Sequence, residues 1–449
     1  MTYITLVDYL LLLFYLFFLF YFIKLKAIKY KATSLYKYFI YGFLAHMAGC
    51  ILYALVVQYY YGYGDSFGFY QGGQAIRKIL ASNGNPFNTF FLNGEELSKI
   101  YKLTGDDDIY MEAGISNNAS LIIYKITALL SYISFNSYLI ISLFFGLFSF
   151  AGVWKMFCVF NELLDKYREK ILVYSIVFLP SICFWGSGLM KDSLCLGFVG
   201  FIFSTGYSIF VKKSFRISNF LVLLFCLYFL YLIKSYIAST LILAALLTYL
   251  IGIILKSKGN IIKLSFVLLV LIISGLFLTF SISSTIASVI EESKSQIENF
   301  KNSYEASSDA DENSMAGFKE ADFEFTIGSI ILRTPLKTTS TLYRPFFWET
   351  RKPIMMFSAL ESLLMLLAAI FVLIKCRVTR FFYYIAIHPE IFFAFVFTAL
   401  LAAVVGFTTF NFGSMVRYRL PILPFYCFML IAIYKKHMER QASRSVPLN

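Results

Sequence analysis

The sequence predicts an all-α fold, a polytopic helical bundle that spans a membrane. Of its 449 residues, 59% are hydrophobic and only 14% are charged, and the mean hydropathy is +0.72. Soluble domains carry about 25% charged residues, so this composition argues against that class. Apolar runs near or above ~18 residues, the length that flags a membrane-crossing helix, recur along the whole chain.

The positions of lysine and arginine predict the topology. About eleven spans alternate with short basic loops, which the positive-inside rule places in the cytoplasm. The N-terminus is then outside and the C-terminus inside. The predicted spans are 5–23, 38–60, 137–160, 171–187, 193–211, 219–233, 237–255, 264–283, 354–374, 390–408 and 420–434. The net charge of +13 is therefore a topology signal and does not indicate a nucleic-acid partner.

These spans divide the chain into five parts. The first two spans occupy 1–61, and 62–136 is an outer loop that ends in a juxtamembrane helix. The next six spans occupy 137–283, and a second, charged outer loop occupies 284–353. The last three spans and a cytoplasmic tail occupy 354–449. The middle of the second loop is polar with few aliphatic residues, which is typical of a weakly folded segment.

Residues 119–134 are predicted to form an amphipathic helix that lies on the membrane instead of crossing it. Serine and threonine side chains share one helical face, and isoleucine and leucine share another. If this segment crossed the bilayer, every later basic loop would move to the outer side. The flat orientation keeps those loops in the cytoplasm.

The stretch 61–73, YGYGDSFGFYQGG, places an acid where the second span reaches the outer face. Asp65 is the first acidic residue after Asp8, and Tyr63 and Tyr70 flank it. A carboxylate at this position suits a general base that takes a proton from a hydroxyl group. The tyrosines would line the substrate site. The alternative is that an interfacial helix end collects glycine, tyrosine and one charge without a catalytic role.

Three further polar clusters are predicted at the same outer depth: FWGSGLMKDS at 184–193, YRPFFWETRK at 343–352 and VRYRLPILP at 416–424. Arginine binds phosphate through two parallel hydrogen bonds, and lysine binds it as a point charge. The candidate donor-phosphate ligands are Lys191, Arg344, Arg417 and Arg419. The candidate substrate-lining residues here are Asp192, Trp348 and Glu349. The alternatives are a Lys191–Asp192 helix-end ion pair, an aromatic belt and snorkelling arginines.

No cofactor and no metal site are predicted. The seven cysteines form no C-x-x-C pair, and His46, His388 and His437 are scattered along the chain. Glu361 lies inside a predicted span, where an acid is a functional candidate by default. Lys234 is interpreted as a helix-end lysine whose side chain reaches toward water. His46 is interpreted as a core residue.

Together these features resemble the GT-C superfamily of integral membrane glycosyltransferases, which take a sugar from a polyprenyl-phosphate carrier. The resemblance rests on the acid in GDSFGFY, the flat helix at 119–134 and the RYRLPILP segment. It implies that Asp65 is the general base and that Arg417 and Arg419 hold the carrier phosphate. The chain departs from the family in having an extra first span. It also has one acid where many members have a pair, and a divalent cation is an alternative that the residues do not support.

The resemblance implies an enzyme of the bacterial inner (cytoplasmic) membrane, because FWGSGLMKDS and YRPFFWE also resemble proteins of bacterial surface-polysaccharide loci. It would move a sugar to a glycan or lipid-linked acceptor at the outer face, with inversion, and a glycan polymerase or ligase stays open within this class. The alternatives are a transporter or flippase of lipid-linked or anionic solutes, which should show broken helices, and a non-catalytic scaffold. The enzyme hypothesis expects Asp65, Arg417 and Arg419 to share one pocket.

Overall fold

The computed structural model describes residues 3–82, 84–103, 109–256, 327–350, 353–409 and 411–445. Within these ranges the regular secondary structure is helical and no β-strand occurs, which confirms the helical class. Contacts divide the chain into two compact units. The first unit comprises Met1–Glu162 and Arg168–Ser235, and the second comprises Leu163–Tyr167 and Tyr236–Asn449.

The first unit is built from a series of helices, some long and several short. They are α1 (Leu6–Ala27), α2 (Leu35–Val56), α3 (Asp65–Ser82), α4 (Pro86–Phe91), α5 (Gly94–Leu103), α6 (Ile109–Ser116), α7 (Asn118–Ile133), α8 (Tyr138–Leu163), α9 (Glu169–Ile176), α10 (Pro180–Phe184), α11 (Lys191–Gly206) and α12 (Ile217–Ile233). Wider π-helical turns extend α2 to Tyr61 and α11 to Val211.

The helices that follow belong to the second unit, apart from Ser235 at the start of α13. They are α13 (Ser235–Lys256), α14 (Ile327–Tyr343), α15 (Pro353–Cys376), α16 (Val378–Ile387), α17 (Pro389–Thr408), α18 (Phe412–Tyr418) and α19 (Ile422–Ser445). The predicted span 264–283 and the middle of the predicted second loop lie outside the described residues.

Within the described residues, seven helical segments are long and apolar enough to cross a membrane, which supports a membrane protein. They are Leu6–Tyr30, Leu35–Tyr61, Tyr138–Leu163, Lys191–Val211, Ser235–Leu255, Pro353–Cys376 and Pro389–Thr408. The pair Phe412–Tyr418 and Ile422–Ser443 is bent by 62° and would make an eighth span if it counts as one. The total of about eleven spans and their orientation stay predictions.

The predicted span 171–187 is not one continuous helix. Within it, α9 ends at Ile176 and α10 begins at Pro180. A residue before proline avoids the helical conformation, and Leu179 is extended, with φ −62° and ψ 125°. The apolar run is therefore divided into two short helices. The predicted span 219–233 corresponds to α12, which belongs to the shorter apolar helices.

The predicted first outer loop is largely helical, because it contains α3 to α7. Two glycines let α3 and α7 pack closely: an added Cβ would lie 2.3 Å from the Tyr124 ring at Gly72 and 2.3 Å from Thr127 at Gly73. The predicted helix at 119–134 is present as α7. Thr127, Ser131 and Ser134 are buried, whereas Leu129 and Ile133 are 52% and 54% exposed, and the orientation of this helix on a membrane stays a prediction.

Part of the predicted second outer loop is also helical. Residues Ile327–Tyr343 form α14, which packs against α17. Gly406 permits the close approach, since a Cβ there would lie 2.5 Å from the Lys337 carbonyl oxygen. The Thr341 hydroxyl donates a hydrogen bond to the Ala402 carbonyl at 2.8 Å. The end of the loop is thus fixed to the second unit.

Candidate functional site

Asp65 is the first residue of α3, and its side chain lies at the protein surface. Gly62 and Gly64 precede it with φ values of 70° and 140°, a backbone conformation that favours glycine. Tyr63 lies between them and is 74% exposed. The turn therefore presents the carboxylate at the N-terminus of a helix, where the backbone dipoles stabilise negative charge.

Two hydrogen bonds connect the first turns of α3 to neighbouring parts of the first unit. The hydroxyl groups of Ser66 and Tyr138 lie 2.7 Å apart inside the unit. Tyr70 donates to the Asn136 carbonyl at 2.7 Å, and burial raises the pKa of this phenol. Tyr70 therefore fixes α3 to the turn after α7, and its predicted role in lining a substrate site stays a prediction.

Lys191 is the first residue of α11, and its ammonium group meets the first turns of two other helices. Its Nζ donates to the Ser120 hydroxyl of α7 at 3.0 Å and lies 5.6 Å from the centre of the Phe69 ring of α3. The charged groups close enough to act on it are Asp65, Asp192 and Lys234. Within the described residues, no carboxylate lies within 4.0 Å of Lys191 Nζ. The hydrogen-bond partner of this partly buried ammonium is thus a neutral hydroxyl group, and its role in binding a donor phosphate stays a prediction.

Asp192, the next residue, has a different partner. Its carboxylate accepts a hydrogen bond from Lys234 at the end of α12, and the two side chains are 4% and 8% exposed. The alternative of a Lys191–Asp192 helix-end ion pair is therefore not supported, and the interpretation of Lys234 as a side chain that reaches toward water is wrong. Charges removed from water must be paired, which explains why these two meet. The signal in the sequence was a single lysine inside an otherwise uncharged and mostly apolar stretch from 219 to 255.

The segment that leads into α11 is non-helical and buried from Trp185 to Met190. Gly188 lets it pass α2, because a Cβ there would lie 2.1 Å from the Tyr53 ring. His46 of α2 bonds to Ser187 at 3.2 Å and to the Val177 carbonyl at 3.1 Å. Irregular backbone that is buried needs such internal partners. His46 is a satisfied core residue, and it positions the chain ahead of Lys191.

In the second unit, Arg419 lies in the bend between α18 and α19 and is fully buried. Its Nη1 donates to the carbonyl oxygens of Thr341 at 3.2 Å, Leu342 at 3.2 Å and Arg344 at 2.7 Å. Its Nη2 donates to the Ser362 hydroxyl at 2.8 Å. The guanidinium therefore caps the C-terminal end of α14, and a phosphate would have to displace these carbonyls.

Glu361, the acid predicted inside a span, is 5% exposed, and Arg419 is a charged neighbour that acts on it. Arg417 is partly exposed and donates to the Ser414 hydroxyl at 3.4 Å. Of the two arginines that the sequence paired, Arg417 is thus the one at the surface. Its role in binding a phosphate stays a prediction.

The described part of the cluster at 343–352 forms a turn with internal hydrogen bonds. Glu349 accepts from Arg344 Nε at 2.8 Å and from the Phe346 backbone N–H at 2.8 Å. Trp348 is 81% exposed, and its ring stacks on Phe346 with 4.8 Å between centroids. Arg344 and Glu349 therefore hold the turn together, and Trp348 is the member that an external ligand can reach.

The structure brings together the predicted residues Asp65, Lys191 and Asp192 within the first unit. The arginines, Trp348 and Glu349 belong to the second unit, so the predicted pairing of Asp65 with Arg417 and Arg419 joins residues of two units and stays a prediction. In the described ranges, no group of three or more His, Cys, Asp and Glu side chains is placed to hold a metal ion.

Comparison with protein families, curated proteins and solved structures finds no match to this chain. The functional interpretation therefore depends on the chemistry of Asp65 and Lys191.

Proposed function

We propose that the protein is a membrane glycosyltransferase that moves a sugar from a polyprenyl-phosphate carrier to a glycan or lipid-linked acceptor. The observation that carries the proposal is the exposed carboxylate of Asp65 within electrostatic range of the partly buried ammonium of Lys191. This reaction needs both groups: a base for the acceptor hydroxyl and a cation for the departing phosphate.

The proposed reaction is a single displacement. The acceptor oxygen attacks the anomeric carbon while Asp65 takes the hydroxyl proton, and the bond from the anomeric carbon to the phosphate oxygen breaks. The carrier phosphate keeps the electron pair, and the Lys191 ammonium stabilises its charge. Attack from the face opposite the leaving group inverts the anomeric configuration.

The surroundings of Lys191 support its role as the phosphate ligand. Ser120 lies in the first turn of α7, and Lys191 begins α11. Helix N-termini carry partial positive charge, which favours a phosphate group nearby. The pairing of Asp192 with Lys234 keeps the adjacent carboxylate from neutralising Lys191. A lipid-linked phosphate remains in the headgroup plane, so a base and a cation at helix ends suit it.

The test uses purified protein in liposomes that contain polyprenyl-phosphate sugars. Asp65→Asn should lower sugar transfer by about 100- to 10,000-fold, the usual effect of a general base, while donor binding persists. Lys191→Gln should weaken donor binding. Glu95→Gln and Lys99→Gln, which change exposed charges in the same unit, should leave both properties unchanged. Transfer at the wild-type rate by the Asp65→Asn variant would exclude this mechanism.

A transporter or flippase of lipid-linked or anionic solutes is the second candidate, and the bend between α18 and α19 favours it. Two helix segments meet there at 62°, with the buried Arg419 at the break. Discontinuous helices that carry charges at the break are typical of transporters. A fluorescent polyprenyl phosphate that changes leaflet in liposomes without any sugar transfer would support this candidate over the enzyme.

A further inference from the structure

We propose that the protein has a second anion site, which binds a phosphate group where α16 packs against the C-terminal part of α19. Arg380 and Tyr384 lie one helical turn apart on α16, and His437 and Arg440 do so on α19. None of these residues belongs to the proposed site at Asp65 and Lys191. The site is therefore independent of the proposed function.

The first observation concerns two buried hydrogen-bond donors without acceptors. His437 is 3% exposed, and its Nε2 lies 2.9 Å from the amide nitrogen of Gln441. An amide nitrogen donates, so Nε2 accepts and the neutral ring carries its hydrogen on Nδ1. Nδ1 is buried and lacks a partner in the described part of the chain. The hydroxyl group of Tyr384, which is 3% exposed, also lacks one there.

These donors belong to neighbouring rings, since the ring centres of Tyr384 and His437 are 6.5 Å apart. Native proteins satisfy nearly all buried polar groups with a protein atom, a water molecule or a ligand. Two neighbouring N–H and O–H groups that lack acceptors indicate that the missing partner supplies acceptor oxygens.

The second observation concerns charge. Arg380 and Arg440 are the cationic groups that act on His437, and both are partly buried. Within the described residues, neither guanidinium forms an ion pair or a side-chain hydrogen bond. Arginines that lie near buried donors and are not paired with a carboxylate make the local electrostatic potential positive.

Two carboxylates lie near this junction. Glu390 lies 3.8 Å from the ring of His388, which follows α16. Glu439 lies 3.6 Å from Lys435 and 3.4 Å from Lys436. The groups that face this junction are therefore mainly donors and cations, and the ligand that fits them is an anion with several oxygen atoms. Phosphate has this chemistry, and arginine binds it bidentately.

The position of the site suits a phosphate that is attached to a lipid. α16 follows a candidate membrane span directly. The side of α16 that faces away from the protein exposes Phe382 (53%) and Tyr383 (51%). Aromatic side chains of this kind favour the boundary between lipid and water. Basic pockets between helices at that depth bind anionic lipid headgroups. A small soluble phosphate compound offers the same oxygen atoms and is the other source to be tested.

The experiment measures the melting temperature of the full-length protein in a neutral detergent. The probes are phosphatidylglycerol, phosphatidylcholine and inorganic phosphate, each added separately. The variant Arg380→Gln/Arg440→Gln is compared with Lys375→Gln/Arg377→Gln, which removes two exposed charges from the same region. We expect phosphatidylglycerol to raise the melting temperature more than phosphatidylcholine does. This difference should fall at least threefold in Arg380→Gln/Arg440→Gln and persist in the control.

A comparison of the three probes distinguishes a lipid headgroup from a soluble phosphate as the ligand. A rise with inorganic phosphate that equals the rise with phosphatidylglycerol would assign the site to soluble phosphates. A rise with phosphatidylglycerol alone would assign it to lipid. An equal loss in both double variants, or no rise with either anionic probe, would overturn the proposal.

A further variant tests the site in case the double arginine variant does not fold. Tyr384→Phe removes the hydroxyl group that lacks an acceptor, so the melting temperature without probe should stay unchanged or increase. With the site as proposed, the rise caused by the anionic probe should nevertheless shrink in this variant. A rise of unchanged size would show that the hydroxyl does not contact the ligand and would overturn the assignment.

Discussion

Lys234 donates a hydrogen bond to the carboxylate of Asp192, 42 residues earlier, and both side chains are buried within the first unit. This relationship determines which lysine Asp192 pairs with. The carboxylate pairs with the distant Lys234, and the ammonium of the adjacent Lys191 donates to the Ser120 hydroxyl instead.

Breaking this pair should be costly. Lys234→Met leaves a buried carboxylate unpaired, and the free energy of unfolding should fall by about 3–5 kcal/mol. Adding Asp192→Asn should restore most of the loss, because the buried charge is then gone. The measurement is the melting temperature in detergent.

The matched control for this pair is Lys212 and Glu162, which lie 2.6 Å apart with side chains 46% and 49% exposed. Lys212→Met should cost at most about 1 kcal/mol, since water screens an exposed pair. If Lys212→Met and Lys234→Met lowered the free energy of unfolding equally, burial would not explain the contribution of the Lys234–Asp192 pair to stability.

The two arginines of the RYRLPILP segment should behave differently. Arg419→Gln leaves carbonyl groups of α14 without donors and should lower the free energy of unfolding by about 3 kcal/mol or more. Arg417→Gln, which changes a partly exposed side chain, should cost less than about 1 kcal/mol. Thermal unfolding of the two variants side by side tests the assignment, and a stable Arg419→Gln protein would contradict it.

The packing of α3 on α7 should depend on the absence of a side chain at Gly72. Gly72→Ala places a methyl group 2.3 Å from the Tyr124 ring and should destabilise the protein by about 1–3 kcal/mol. Gly68→Ala, in the same helix, meets no atom within 4 Å and should stabilise it by about 0.5–1 kcal/mol. Melting temperatures that shift in the same direction for both would refute this account.

Stability should also depend on pH through Asp165. A hydrogen bond from Lys435 at 2.7 Å lowers the pKa of this carboxyl below its ordinary value of 3.8. A lowered pKa in the folded state means that the unfolded state binds the proton more tightly. The stabilisation is therefore complete above pH 3.8 and is lost as the pH falls through the lowered pKa. The melting-temperature advantage of the wild type over Asp165→Asn should disappear in that acidic range, and an advantage that persists there would exclude this linkage.

Much of the helical architecture was predictable because its signals are local. A long apolar run is recognisable wherever it occurs, and the alternating faces of 119–134 indicate its helix. Where a local signal was overruled, the cause is identifiable: Pro180 divides the apolar run 171–187 into two helices. In the predicted first outer loop, tertiary packing instead added helices that no local signal had predicted. These helices are stabilised by packing around Gly72 and Gly73.

The partners of the charged side chains were not predictable in the same way. In the sequence, Lys234 resembles several other lysines at predicted helix ends. Arg419 has nearly the same sequence context as Arg417. The partner of Lys234 lies 42 residues away along the chain, and the partners of Arg419 lie between 57 and 78 residues away. No local pattern marks such pairs, because the distance between two side chains depends on how entire helices pack.

The amino-acid sequence by itself determined that this protein is helical and embedded in a membrane, because hydrophobicity acts on each segment independently of the others. Only the tertiary structure decided which charged side chains pair with each other. The physical reason is that a charge in a poorly polar interior must be paired, and the partner is whichever group the fold brings within hydrogen-bond distance.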